Sequence, residues 1–317
     1  MPTPDTPYLK QIANTTFQPI FILGDQRSGT TLFYDLLTQT GAFNFVSAYH
    51  VIAYDELLAN HAKHCTAIAM RELNERFQKL GVSDRAIDQM RVRADLPEEY
   101  VFLLKKGLRI LPKTLPSFIE ACRKIQYISN HSKPLLLKGP TDTANFLRIR
   151  HYFPSAPILF IHRHPLEVLN SKIKALQLLL NETNPYYALI NPGYARLMQR
   201  WPRRKLLQTI FSSRGEIGPR ILARHTIWGA RYYANRIEEL EPSCHLTVRY
   251  EDLCANPNEV VNKVLDFLGA PDHVAFDLSN QIAKRPVHFR TETRRCIPQM
   301  KRGLKDYCER FGYDLDV

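Results

Sequence analysis

The chain has 317 residues, 44% of them hydrophobic and 23% charged, with a formal net charge of +12. That is enough sequence to bury one large core, and no linker-like stretch, internal repeat or low-complexity tract divides it, so a single domain over 1–317 is expected. No run of about 18 uncharged apolar residues is present and the first ten residues lack an apolar signal segment, so a cytoplasmic protein without a transmembrane segment is expected. The cysteines at 65, 122, 244, 254, 296 and 308 form no Cys-x-x-Cys pair, so no zinc site is indicated and no metal is invoked.

In chain order, residues 1–16 carry Pro2, Pro4 and Pro7 and read as a frayed terminus. Apolar runs at 20–23, 135–137, 158–161 and 245–248 have the length and composition of buried parallel strands. Residues 30–40 read as a helix with Leu32, Leu36 and Leu37 on one side, ending at Gly41. The stretch 55–130 is expected to be largely helical, with breaks at Pro97, Pro112 and Pro116. A helix over 166–180 has Pro165 at its first turn, and another over 258–268 is closed by Gly269. Residues 181–225 show no clear period and predict loops and short helices, and 304–311 read as a last helix. Strands alternating with helices predict an α/β fold in three layers, α/β/α, with a central, mainly parallel sheet and helical insertions.

The first strand runs into Gly24-Asp-Gln-Arg-Ser-Gly-Thr-Thr31 and a helix start. Gly24 and Gly29 are spaced as in the loop Gly-x4-Gly-Lys-Ser/Thr that cradles nucleoside triphosphates. Glycine permits the tight turn, and the helix N-terminus adds unpaired N–H donors and a positive dipole end. The lysine of that loop would fall at Thr30, which carries no charge; the cation is Arg27, three residues earlier. A kinase or nucleotide hydrolase would lack its main β/γ-phosphate contact, whereas Arg27 can fork onto a single phosphate. A second anion site is suggested by Arg163 at the end of strand 158–161 and Ser171 two turns into the following helix, since both can converge on one anion at the sheet edge.

The string Arg27-Ser28-Gly29-Thr30-Thr31-Leu32 resembles the 5′-phosphosulfate loop of the PAPS-dependent sulfotransferase superfamily (PAPS, 3′-phosphoadenosine-5′-phosphosulfate), whose fold is P-loop-like. Arg163 and Ser171 resemble its 3′-phosphate site. Leu246-Thr-Val-Arg-Tyr-Glu-Asp-Leu253 resembles its strand and turn ending in Tyr-Glu-Asp. The resemblance implies a sulfo transfer from PAPS to an acceptor hydroxyl or amine, with 3′,5′-ADP as product and no metal. Arg27, Ser28, Gly29, Thr30 and Thr31 would hold the sulfo end of the donor, Arg163 and Ser171 its 3′-phosphate, and Tyr250 would lie near the adenine. Glu251 and Asp252 read as caps of the next turn. Lys138, in Leu-Lys-Gly-Pro-Thr-Asp142, resembles the family lysine that faces the bridging oxygen.

The base is open. Where cytosolic relatives carry a histidine two residues past that lysine, this chain has Pro140. Other relatives have a glutamate about twenty residues past the loop arginine; near that distance stands His50, which is chosen here, with Glu56 and Asp142 as alternatives. The acceptor is open too: a small molecule, a lipid or a carbohydrate, bound beside a variable region at 181–235. Residues 196–224 carry eight Lys/Arg against one acid, Glu216, which suits an anionic or membrane-associated acceptor, peripheral membrane contact, or a solvated face. A second basic segment runs from Lys284 to Arg302, again with a single acid, Glu292. Its part from Arg290 to Gly303 would, by the resemblance, close over the 3′-phosphate, through Lys301-Arg302-Gly303 or through Arg294 or Arg295. The competing readings are a P-loop kinase or nucleotide hydrolase, and a non-enzymatic polyanion binder; no nucleic-acid module supports the latter with a nucleic-acid partner.

Overall fold

The computed structural model describes residues 2–104, 107–212, 215–270, 277–279, 282 and 288–316. The four apolar runs become strands of one sheet: β1 (Pro19–Leu23), β3 (Leu135–Lys138), β4 (Ile158–His162) and β5 (His245–Arg249). A two-residue edge strand, β2 (Asn44–Phe45), was not legible, because two residues carry no period. The order is β2-β3-β1-β4-β5 and every pairing is parallel.

Alternate residues of the strands feed two cores, as the pleat requires. Phe21, Leu137 and Phe160 pack on one face with Phe118 and Ile125 of helix Leu115–Ile128. Ile22, Leu136 and Ile161 pack on the other with Phe33 and Leu37 of helix Thr30–Gln39 and Val261 and Val264 of helix Pro257–Phe267. A third cluster joins helices Pro165–Asn181, Ile217–Arg236 and Thr291–Phe311 through Leu169, Ala223 and Met300.

The topology fixes the site. β1 and β4 are neighbours whose outgoing connections run to opposite sides, from β1 to β2 and from β4 to β5, so a crevice opens at their carboxyl ends. Register sets Ile22 opposite Lys138, Leu23 opposite Phe160 and His162 opposite Arg249. Lys138 at the end of β3, Gly24 just past β1, and Arg163 and Tyr250 just past β4 and β5 therefore stand at the carboxyl ends of four neighbouring strands.

Three expectations need correction. The terminus is anchored rather than frayed: residues Thr6–Ile12 form a 3₁₀ helix, and the fully buried Asp5 accepts from Lys124 Nζ at 2.7 Å and from the Ala59 amide at 3.0 Å. Those partners lie far off in sequence, so composition near the terminus could not reveal them. Residues 55–130 are helical only in part (Leu57–Ala62, Thr66–Lys79, Leu115–Ile128, with a 3₁₀ turn at Tyr100–Leu103), and 80–99 is irregular. The stretch 181–225 does hold three short helices, but its end begins a 20-residue helix, Ile217–Arg236, which Gly218 and Pro219 at its start had disguised. Both fit there because a first turn needs neither donor.

Candidate active site

The loop after β1 is shaped by backbone constraints. A Cβ at Gly24 would lie 2.5 Å from the Ile161 carbonyl, so only glycine lets β1 and β4 close at this point. Thr143 braces the same residue, accepting from its amide at 2.9 Å. Asp25 takes both carboxylate oxygens to Lys172 Nζ at 2.6 Å and its carbonyl accepts from Ser28 N–H, which forms the turn. Arg27 follows with φ 73° and Gly29 with φ 98°, and the helix starts at Thr30. The first-turn amides have no intrahelical partner and crown the crevice with donors.

The left-handed Arg27 is a locally unfavourable conformation. Two bonds hold it: Nη2 donates to the Ile87 carbonyl at 2.9 Å and Nε to Ser171 Oγ at 3.1 Å. The first of these comes from the irregular segment near residue 87, and the second joins the two sequence motifs directly. Burial pulls the Arg27 pKa below its ordinary value, against the opposing pull of Asp88. Thr30 is buried in the helix start. The Ser28 amide is used within the turn, and its hydroxyl, buried beside Gly24, has no hydrogen-bond partner among the described residues.

Lys138 ends β3 with no solvent exposure. Its ammonium donates to Thr31 Oγ1 at 3.2 Å, lies 3.6 Å from Glu99 Oε1 and faces the Tyr34 ring. Burial lowers the Lys138 pKa and raises that of Glu99; each charge opposes the other's shift. The Glu99 side chain is one-fifth exposed, so it reaches water while Lys138 beside it does not. Sequence reasoning missed Glu99. It lies in the irregular 80–99 segment, 39 residues before Lys138, and nothing local marks it.

Arg163, just past β4, donates through Nε and Nη2 to Glu167 at 2.9 and 2.6 Å and lies over the Tyr250 ring at 4.3 Å. Tyr250 in turn packs on the loop: a Cβ at Gly29 would meet its ring at 2.2 Å. All three motifs are therefore in contact, and Ser28 and Arg163 line one cavity with His162 and Tyr307. Glu251 does not cap its own turn. It accepts from the His164 amide at 2.9 Å and from Tyr313 OH at 3.0 Å, tying the ends of β4 and β5 to the chain's last residues.

Of the three residues considered as the base, His50 and Asp142 are committed to other partners and Glu56 is exposed. His50 Nδ1 accepts from the Ser47 amide at 3.1 Å in a capping box, the Phe45 carbonyl bonds the same ring, and burial lowers its pKa to about 4. A group so committed and so weakly basic is a poor proton acceptor. Asp142 is fully buried and accepts from Tyr100 OH, the Ile110 amide and Asn145 Nδ2. Glu56 is exposed at the start of helix Leu57–Ala62. Since glutamine also completes a capping box, His50→Gln is expected to leave kcat unchanged, whereas loss of a true general base lowers it about 10²–10⁴-fold; steady-state kinetics decides.

The basic segment near the C-terminus also needs correction. Lys301, Arg302 and Gly303 lie inside helix Thr291–Phe311, and Gly303 is pressed against Ile227, where a Cβ would meet its side chain at 2.7 Å. A packed helix cannot act as a closing loop. Arg290 is nearer the second motif: its amide donates to Asn170 Oδ1, next to Ser171. Lys284 and Arg285 lie outside the described residues.

Residues 19–273 match the family model described as "Sulfotransferase family". The chain belongs to the sulfotransferase family. Solved sulfotransferases share its fold. STF9 of Mycobacterium avium is 14% identical with a TM-score of 0.59, over 98% of this chain and 81% of that one. STF1 of Mycobacterium tuberculosis H37Rv is 16% identical with a TM-score of 0.50, over 96% of this chain and 78% of that one. No curated protein matches the sequence. For this sulfotransferase, the α/β fold and the family expected from the motifs are thus established, and no helix among the described residues is long and apolar enough to cross a membrane.

Proposed function

We propose that the protein moves a sulfo group from PAPS to a hydroxyl or amine of a small-molecule, carbohydrate or lipid acceptor. The observation that carries this reading is a chain of contacts at neighbouring strand ends: Lys138 donates to Thr31 of the loop, Gly29 of the same loop packs against Tyr250, and Tyr250 lies under Arg163. It offers one anion cradle at the loop and a second cation one strand away, which suits a nucleotide phosphorylated at both 5′ and 3′ positions.

In this reading the first-turn amides, Thr31 and Arg27 bind the 5′-phosphate and the sulfo oxygens. Arg163 exchanges Glu167 for the 3′-phosphate, with Ser171 beside it. The acceptor oxygen or nitrogen attacks sulfur in line, and the bond from sulfur to the bridging oxygen breaks. Lys138 offsets the charge that appears on the leaving phosphate of 3′,5′-ADP. Glu99 receives the acceptor's proton; its raised pKa makes it a better base than an exposed carboxylate.

The test is turnover of PAPS labelled in its sulfo group against a panel of hydroxyl and amine acceptors, with ATP and Mg²⁺ in a parallel arm. Acceptor-dependent label transfer with stoichiometric 3′,5′-ADP is expected. Hydrolysis of ATP with no transfer from PAPS would overturn the proposal.

A further inference from the structure

Two consecutive helices, which meet where Gly218 lies against the Ile210 carbonyl, each carry exposed apolar and basic side chains. Helix Trp201–Ile210 fully buries none of its residues. Its inner side is set by Arg204 and Gln208, which donate to the Leu180 carbonyl. Trp201, Arg203, Lys205 and Leu206 are left exposed. In helix Ile217–Arg236 the exposed positions 217, 220, 221, 224 and 228 recur at the spacing of a single face and read Ile, Arg, Ile, Arg, Trp. Ala223, Thr226 and Tyr233 face the interior.

A solvated helix face carries charge without bulky apolar groups. Here Trp201 is 70% exposed and Trp228 45%, and they are the chain's two tryptophans. The occupant is constrained by charge. Between 196 and 224 eight Lys/Arg stand against Glu216 alone, which already pairs with Arg220; Arg214, one of the eight, lies outside the described residues. A second copy of the chain would bring like charge against like charge. A soluble polyanion would neutralise the arginines and leave the tryptophans and isoleucines in water. An anionic bilayer answers both: phosphate headgroups attract the cations, and the interface is where tryptophan partitions.

We propose that this face seats on an anionic phospholipid bilayer, with Arg203, Lys205, Arg220 and Arg224 at the headgroups and Trp201, Ile217, Ile221 and Trp228 at the headgroup–acyl boundary. The face continues to the crevice. The Arg109 guanidinium lies 5.5 Å over Trp228, the neighbouring Leu108 is exposed, and the Leu108 carbonyl accepts from Thr141, three residues past Lys138. A protein seated in this way holds the Lys138 strand end near the membrane surface.

The test uses the full chain with phosphatidylcholine vesicles, with and without phosphatidylserine, read by co-sedimentation and by intrinsic fluorescence, since both tryptophans lie on the proposed face. The expected result is salt-sensitive binding to the serine-containing vesicles with a blue shift of the emission. A membrane-proximal basic residue contributes about fivefold in affinity, so Arg220→Gln with Arg224→Gln weakens binding about 25-fold. Ile217→Ser with Ile221→Ser weakens it while leaving the charge intact. These positions are exposed, and unchanged melting confirms the fold of each variant. No binding, binding without a blue shift, or binding indifferent to the isoleucine changes would each overturn the proposal. So would a concentration-dependent dimer that shifts the tryptophans without vesicles.

Discussion

Glu99→Gln is expected to lower kcat by about 10²–10⁴-fold, the usual contribution of a positioned general base. The substitution keeps the shape of the side chain and its capacity to accept from Lys138, so affinity for 3′,5′-ADP is expected to persist. The pH profile carries a separate signature. A base must be deprotonated to act, and burial raises the Glu99 pKa above the ordinary glutamate value, with the Lys138 charge pulling it partly back. Activity should therefore fall on acidification in a range above that of an exposed carboxylate, and this limb should vanish in Glu99→Gln. A variant that retains wild-type kcat and the same acidic limb would exclude Glu99 as the base.

Lys138→Met should lower kcat by about 10²–10³-fold, the scale on which a preorganised charge facing the leaving group acts. Methionine is close in length and unbranched, so the packing against Tyr34 is retained. Removing a fully buried cation also removes its desolvation penalty, and Glu99, whose pKa is already raised, can take up a proton where it stands, so the melting temperature is not expected to fall. The two positions are coupled. Without the Lys138 charge the Glu99 pKa rises further, and whatever activity remains should lose its acidic limb toward higher pH. A structural lysine would behave in the opposite way: stability would drop and kcat would stay near wild type.

The sheet was largely legible because a buried parallel strand writes itself as an unbroken apolar run, as in β1, β3 and β4, while the half-buried edge strand β5 interleaves Leu246 and Val248 with polar residues. The phosphate loop was legible because Gly24 and Gly29 answer to local backbone demands: the approach of Ile161 and a left-handed φ against Tyr250. What stayed hidden depends on contacts distant in sequence. Asp5 looks like part of a disordered tail until Lys124 is placed against it. Glu99 stands in an irregular segment with no period, and only the fold carries it to Lys138. Ser171 was assigned to one motif on spacing alone, whereas its hydroxyl accepts from the arginine of the other. His50 misled for the same reason in reverse, since a suitable residue type at a suitable distance is employed as a helix cap.

The central claim, one nucleotide bridging the loop and the Arg163 site, is tested most directly by calorimetric binding of 3′,5′-ADP and of 5′-AMP to wild type, Arg27→Ala and Arg163→Ala. A hydrogen-bonded charge contact contributes roughly 1.5–3 kcal/mol, or about tenfold to a hundredfold in affinity. Wild type should favour 3′,5′-ADP over 5′-AMP by that order, Arg163→Ala should erase the preference without weakening 5′-AMP, and Arg27→Ala should weaken both ligands alike. If Arg163→Ala leaves the preference intact, or weakens both nucleotides equally, the two anion sites do not serve one ligand.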